Sequence, residues 1–383
     1  MTDRKKVAIL GSTGSIGRQA LDVIRQFAER WEVSGLAAGR NHQLLAEQVR
    51  EFGPASVSWE GEASDYLQTA VRDANSTRLD PTEMALAADI PLVGTAGAAG
   101  LLPTLAALKA GQSVAIANKE VLVMAGHLVR RAMVEGGGDL RPVDSEHSAI
   151  WQCLWGEASH EISRILLTAS GGAFRDLDRS QLAAVTAEQA LNHPTWNMGP
   201  KITVDSATLM NKGMETIEAM WLFDVPMEKV EVVLHRESIV HSLVEFSDGS
   251  VKAQLGVPDM RLPIQLALSY PERMPEPPMP RLNLAQIGSL NFGTPDMDRF
   301  PCLQLAMESG RRGGTFPSAM AAADEVAVER FMAHEVGFLE IPRIIESVLE
   351  KHDNTADPDL ETILEADRAA RELARLVPVG VTV

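Results

Sequence analysis

Cysteine is nearly missing from this chain: its 383 residues hold only Cys153 and Cys302. Two thiols cannot build a disulfide framework, and such usage fits a reducing cytoplasm. Aromatic residues are scarce at 5%, and basic residues are outnumbered, 35 against 52 acidic, for a formal charge of −17. That balance argues against nucleic acid or an anionic membrane surface as the main partner. It leaves room for a small anionic substrate, which a local cluster of cations and amides can hold. No stretch reaches ~18 consecutive apolar residues, so no membrane span is expected. The opening MTDRKKVAIL carries no long apolar run ahead of its glycines and does not read as a signal peptide. No internal repeat or low-complexity tract stands out. What remains is ordinary in bulk, with 45% apolar and 23% charged residues. That composition suits a globular protein too long for one core.

Short apolar runs at residues 7–10, 33–38, 90–93 and 113–117 alternate with helical stretches at 16–27, 43–52 and 101–109. Such alternation implies parallel strands joined by crossover helices. Residues 1–143 therefore read as a doubly wound, Rossmann-like N-terminal domain. The texture then changes. Residues 165–168 and 230–234 are strand-like, and 238–246 pairs with 250–255 across the turn at Asp248 and Gly249. Residues 144–270 are expected to be an α/β (α+β) catalytic domain with a mixed sheet. Five prolines within residues 271–280 forbid regular structure, so 271–296 reads as a linker. Helical patterns at 318–334, 341–352 and 358–376 make 297–383 a C-terminal α-helical bundle.

Gly11, Ser12, Thr13, Gly14, Ser15, Ile16 and Gly17 lie between the first strand and the first helix. Glycines there let backbone approach a pyrophosphate, while free amides at the helix start face its charge. The spacing is G-x-x-G-x-x-G rather than the commoner G-x-G-x-x-G, so a simple tight turn is the competing reading. The second strand ends in Gly39, Arg40 and Asn41, with no acid to hold a ribose hydroxyl. Arg40 would suit a 2′-phosphate, favouring the phosphorylated dinucleotide; a solvated surface arginine is the alternative. Asn118, Lys119 and Glu120 follow another strand, where a binding crevice opens in doubly wound sheets.

The densest chemistry comes later. Asp144 and Glu146 flank Ser145, and about seventy positions on stand Asn211, Lys212 and Glu215. On a helix the last three share one face. Hard divalent cations want oxygen ligands, and phosphates want cations and amide donors. Asp144 and Ser145 could equally be a helix cap. Ser170, Gly171 and Gly172 follow a strand and offer donors for phosphate or the hinge of a moving loop. The stretch from Asn192 to Pro200 is rich in turn formers yet carries Trp196, as a lid over substrate would or as a residue tucked into a core. His241 is either catalytic or a satisfied core histidine, and Cys153 has the apolar neighbours of a core residue.

Taken together, these motifs resemble the 1-deoxy-D-xylulose 5-phosphate reductoisomerase family across nearly the whole chain. The sharpest stretches are GSTGSIG (11–17), ANKE (117–120), VDSEHSAIWQ (143–152), TASGGAFR (168–175) and NHPTWNMGPKITVDSATLMNKGMETIEAMWLF (192–223). QLGVPDMRLPI (254–264) and DEVAVERF (324–331) add to them. The resemblance implies that Asp144, Glu146 and Glu215 bind magnesium, manganese or cobalt. It implies that Ser170, Ser206, Asn211 and Lys212 hold the substrate phosphate, with His193 close by. Ser145 and Lys119 would face the reacting part of this small phosphorylated sugar, under a flap carrying Trp196 and Met198. NADPH would contact Gly11 to Gly17, Gly39 to Asn41, Asn118 to Glu120 and Gly199. Catalysis would rest on Lys119, Asp144, Glu146, His193 and Glu215, in a cytoplasmic homodimer of the methylerythritol phosphate route to isoprenoids. Three positions depart from the family's habit: Arg236 follows His235 where proline is usual, Asn197 stands for serine, and Asp324 for asparagine.

Two rival readings remain distinguishable. A semialdehyde dehydrogenase would need a cysteine nucleophile with a histidine base, and Cys153 is poorly placed for it. A dinucleotide-sensing regulator would explain the first domain but not the later carboxylates.

Overall fold

The computed structural model describes residues 4–196, 198–275 and 279–378. Asn197 of the expected flap and residues 276–278 of the expected linker thus lie outside the described residues. The chain divides into two compact units, one of residues up to 121, 127–148 and 259–281, the other of 122–126, 149–258 and 282 onward. Among the described residues no helix is long and apolar enough to cross a membrane.

The first unit is built on seven strands: β1 (Lys5–Leu10), β2 (Trp31–Ala38), β3 (Ser56–Trp59), β4 (Thr77–Arg78), β5 (Ile90–Val93), β6 (Ser113–Ile116) and β7 (Asp139–Pro142). Their order is β4-β3-β2-β1-β5-β6-β7 and every pairing is parallel. Strand β5, Ile-Pro-Leu-Val, is buried at all four positions, as expected of a sheet covered on both faces. The helix Ser15–Gln26 buries Ala20, Leu21, Val23 and Ile24 on one face. They join Val7, Ile9, Leu36, Val57 and Leu92 in one core. The order reverses at β1, whose neighbours β2 and β5 are reached in opposite directions. A crevice opens at such a point, beyond the carboxyl ends of the strands. The helix Arg261–Ser269 belongs to this unit, since Ile264, Ala267 and Leu268 enter the same core.

Strands β3, β4 and β7 were not among the expected runs. Ser-Val-Ser-Trp alternates polar with apolar over only four residues, β4 has two residues, and β7 reads Asp-Leu-Arg-Pro. Pairing with a neighbour, rather than their own apolar character, makes them strands.

The second unit holds β8 (Ile162–Ala169), β9 (Val230–Leu234), β10 (Val240–Phe246) and β11 (Val251–Leu255) in the order β11-β10-β8-β9. The pairing is mixed: β8 and β9 run parallel, the other pairs antiparallel. Gly249, at φ +84°, turns the β10–β11 hairpin, and Asp248 Oδ1 accepts from Ser250 N at 2.9 Å. Helices Pro200–Thr208 and Met210–Phe223 follow one another through Leu209, itself left-handed at φ +62°. Helices Cys302–Arg312, Phe316–Met332, Glu340–Lys351 and Leu360–Leu376 make up the helical C-terminal part.

Candidate active site

In the parallel-sheet unit, the loop after β1 is shaped by three glycines with three different constraints. Gly11 has φ +94°, and a Cβ there would lie 2.5 Å from Gly94 O. A Cβ on Gly17 would lie 2.3 Å from Gly11 O, so its absence lets the helix start touch the loop. Gly14 is the residue before the helix and is unremarkable at φ −75°. No side chain caps this helix start, which leaves its first-turn amides as donors for a negatively charged group. The loop itself is tied down. Gly11 N and Ser12 N both donate to Ala37 O, at 2.9 and 2.8 Å. Ser12 Oγ donates to Gln48 Oε1 at 2.8 Å, and Gln48 Nε2 returns a bond to Ser12 O at 2.9 Å. Gln48 lies mid-helix, thirty-six residues from its partner, and nothing local in the sequence marks it.

Beside this loop a cavity of about 510 Å³ is lined by Gly11, Ala38, Gly39, Trp59, Arg78 and Thr95 among others. Arg40 is exposed and Asn41 caps the helix His42–Phe52, accepting from Leu44 N at 3.2 Å. Of the three residues expected at the ribose end, only Gly39 lines the cavity itself.

At the ends of β6 and β7 a second cluster forms. Asn118 caps the helix Lys119–Gly136, accepts from Val121 N, and donates to Gly97 O at 2.9 Å and Thr95 Oγ1 at 3.2 Å. This starts the helix with Lys119 beside the next strand's end, where Lys119 Nζ meets Asp144 Oδ2 at 2.9 Å. Both are largely buried, with side-chain exposures of 6% and 16%. Asp144 immediately precedes the helix Ser145–Cys153, and its carbonyl accepts from Ser148 N. Ser145 Oγ donates to Glu146 Oε2 at 2.5 Å. The backbone of Asp144 therefore starts the helix while its carboxylate points to lysine.

The mixed-sheet unit carries the remaining residues. Ser170 follows β8, and Gly171 and Gly172 are both left-handed, at φ +86° and +73°. A Cβ on Gly172 would lie 2.3 Å from Ser206 O, so glycine brings this loop against the helix that carries Ser206. His193 Nδ1 accepts from Thr195 N at 3.1 Å and Trp196 N at 2.9 Å, so the ring proton sits on Nε2. Nε2 then donates to Ser170 Oγ at 3.0 Å. Burial, with help from Arg175, lowers the His193 pKa to about 4, consistent with a neutral ring. Ser170 Oγ also accepts from Gly172 N at 3.3 Å. With its oxygen serving two donors, the Ser170 hydroxyl proton is the part left to offer. Arg175 Nη1 donates to Ser170 O at 2.8 Å, a support the sequence reading missed.

On the helix Met210–Phe223 the expected face is real. Asn211 Nδ2 donates to Glu215 Oε1 at 2.6 Å and Lys212 Nζ to Glu215 Oε2 at 2.5 Å. Glu215 is 1% exposed. Trp196 stands 6.3 Å from the His241 ring, whose pKa burial lowers to about 4. Met198 is half-buried, and Gly199 caps the helix Pro200–Thr208, its carbonyl accepting from Thr203 Oγ1 at 2.7 Å. His235 is a structural knot: its Nε2 accepts from Ile239 N and Val240 N, its Nδ1 donates to Asn291 O, and its ring stacks on Phe292. Cys153 is buried and its thiol is pushed up to about 11, so the cysteine-nucleophile rival lacks its thiolate.

Another buried group went unread in the sequence. Lys201 Nζ meets Asp205 Oδ2 at 2.6 Å and Asp324 Oδ2 at 2.8 Å, with both acids at most 1% exposed. It ties the helix of Ser206 to the helix Phe316–Met332.

Three family models match in succession: "1-deoxy-D-xylulose 5-phosphate reductoisomerase" at 7–126, the "1-deoxy-D-xylulose 5-phosphate reductoisomerase C-terminal domain" at 140–223, and the "DXP reductoisomerase C-terminal domain" at 255–373. The reductoisomerase of Pelotomaculum thermopropionicum is 51% identical over 378 residues, covering 96% of this chain and 97% of that one. That of Exiguobacterium sibiricum is 52% identical over 373 residues, with 96% and 97% covered. The solved Zymomonas mobilis enzyme with NADPH superposes with a TM-score of 0.90 at 41% identity, over 97% and 98% of the chains. A reductoisomerase solved with NADPH, fosmidomycin and magnesium gives 0.92 at 40% identity, over 97% of each.

Proposed function

The chain belongs to the 1-deoxy-D-xylulose 5-phosphate reductoisomerase family, and on that premise we propose how its residues divide the work. It is an oxidoreductase that rearranges and reduces 1-deoxy-D-xylulose 5-phosphate to 2-C-methyl-D-erythritol 4-phosphate. It uses NADPH and a divalent cation, in the methylerythritol phosphate route to isoprenoid precursors.

The residues present fit both groups. Gly11 and Gly17 leave a hollow that a Cβ would fill, beside an uncapped helix start suited to pyrophosphate. Asp144, Glu146 and Glu215 offer only hard oxygen atoms, the donors that magnesium or manganese prefer. When bound, the cation supplies a Lewis acid for the substrate's oxygens and NADPH supplies the hydride.

The observation that carries the assignment is that the largely buried Asp144 and the buried Glu215 pair with the ammonium groups of Lys119 and Lys212. A buried carboxylate needs a compensating charge. A divalent cation held by these acids would supply that charge, and Lys119 and Lys212 would then reach toward substrate. Lys119, with Ser145, faces the reacting oxygens. Lys212 and Asn211 join Ser170 and Ser206 around the phosphate. His193, neutral and donating to Ser170, aims the serine hydroxyl proton at a phosphate oxygen. Trp196 and Met198 cover the site and exclude water. Gly39, Arg40 and Asn41 hold the 2′-phosphate end of the dinucleotide, and Asn118, Glu120 and Gly199 line its nicotinamide end.

We further assign NADPH binding to residues 1–143, catalysis and dimerisation to 144–270, linkage to 271–296, and the helical support to 297–383. A cytoplasmic homodimer is the working assembly; the exposed edge strand β11, with Val251 48% exposed, offers one surface for pairing, and sedimentation tests it. The assignment of the ligands is tested with Glu215→Gln in an NADPH-oxidation assay with the ketose phosphate. Turnover should fall by at least ~10²-fold, the scale of a lost electrostatic contact, with NADPH affinity kept. Full activity removes Glu215 from the metal set.

A further inference from the structure

We propose that Arg78 recognises the adenine ring of the dinucleotide, as a flat cation backed by Trp59 on which the base stacks. The inference rests on the dinucleotide reading above and adds residues that the glycine motif does not contain.

The argument begins with strand order. Moving outward from the switch point, the sheet runs β1, β2, β3, β4, at about 4.8 Å per strand. The cavity of about 510 Å³ is lined by the end of each strand in turn: Gly11 after β1, Gly39 after β2, Trp59 at the end of β3, Arg78 at the end of β4. If Gly11 receives the pyrophosphate and Gly39 the ribose, the next part of an adenosine moiety reaches Trp59 and Arg78.

Their geometry suits a base. The Arg78 guanidinium carbon lies 4.1 Å from the Trp59 ring centroid, and Nη2 donates to Trp59 O at 3.2 Å. Those two contacts fix a side chain that would otherwise sample many rotamers. Arg78 makes no ion pair among the described residues, so its charge is not already committed. A guanidinium plate covered on one face by indole offers its other face to a second aromatic ring. Glu60 and Asp80, close in sequence to Trp59 and Arg78, also line the cavity, which makes it a poor collector of a dianion. A neutral base with a π face and amino hydrogens matches this mixture better than a phosphate does.

The test uses the full-length protein and three ligands: NADPH, NADH and reduced nicotinamide mononucleotide, which lacks the adenosine. Dissociation constants are read from ligand and tryptophan fluorescence. Arg78→Ala should weaken NADPH and NADH by the same factor, about tenfold on the scale of a desolvated cation–π contact, and leave the mononucleotide unchanged. Arg78→Lys, which keeps charge but loses the plate, should recover only part of the loss. Arg78 is a short edge-strand residue, and an unchanged thermal midpoint shows that the variants fold. Unaltered NADPH and NADH affinity in Arg78→Ala overturns the proposal. So does a loss confined to NADPH, which would make Arg78 a 2′-phosphate ligand. Failure of the unmodified protein to bind NADPH would instead remove the dinucleotide reading, and this inference with it.

Discussion

Replacing Gly17 with alanine should cost most of the affinity for NADPH. The added Cβ would lie 2.3 Å from Gly11 O and 2.5 Å from Ser12 Cα, where ordinary contact begins at 3.4 Å. Helix and loop must then part by roughly 1 Å, and close-packed interiors resist such a shift. Both neighbours are backbone, so no side chain can swing aside. The loop cannot retreat easily either, because Ala37 O holds two of its amides and Gln48 grips Ser12 on both sides. Overpacking of this kind costs about 1–3 kcal/mol of stability. A shift of about 1 Å in positioned donors can cost up to ~10²-fold, so an NADPH dissociation constant raised roughly 10- to 100-fold is expected. Gly14 supplies the control. Its backbone is ordinary, and an added Cβ meets only Gly11 O at 3.2 Å. Gly14→Ala should stay within about threefold of the parent, equivalent to less than ~0.7 kcal/mol. Fluorescence titration with NADPH, paired with thermal denaturation, reads both. Parental affinity in Gly17→Ala, or a larger loss in Gly14→Ala, would refute the reasoning.

Asp324→Asn should stabilise the protein above neutral pH. Burial, and then the nearby Asp324 charge, hold the Asp205 pKa well above the carboxylate range, while Lys201 opposes both. A raised acid pKa means that stability falls as pH climbs from the unfolded value toward the folded one. Removing Asp324's charge should flatten that fall and add about 1–3 kcal/mol near pH 8, measured by urea unfolding across pH; an unchanged slope would count against it. His193 and His241 act at the acid end. With pKa values lowered to about 4 from 6.5, both favour the neutral ring in the fold. Their contribution to stability should therefore rise from pH 4 to 6.5 and level off above, opposite in sign to that of Asp205. Gln at either position should flatten the rise, and an NMR titration that places the His193 or His241 ring of the folded protein near 6.5 would contradict this.

What the sequence revealed depended on how local each signal was. The glycine loop, the one-face grouping of Asn211, Lys212 and Glu215, and the hairpin at Gly249 are written within a few residues, and each was readable. Asn211 and Lys212 do meet Glu215, because helical spacing alone puts them there. Strands β3, β4 and β7 were not readable, since their polar and short sequences become strands only by pairing. Gln48 and the Lys201–Asp205–Asp324 group are equally silent, joining helices far apart in the chain. Arg40, which a local rule marks for the ribose end, is solvent-exposed, whereas Arg78, carrying no motif, lines the cavity. Where the family usually has a proline after His235 this chain has Arg236, and the turn there is held by the His235 ring through the backbone of Ile239, Val240 and Asn291.

The two amides on Ala37 O and the reciprocal Ser12–Gln48 bonds have a thermodynamic consequence for the first encounter with cofactor. On the proposed reading, the loop that would receive the diphosphate is set when the chain folds, so its disorder is lost then and not at association. Titration calorimetry should accordingly register little penalty from ordering the loop, and arrival of the dinucleotide need not wait for it to close.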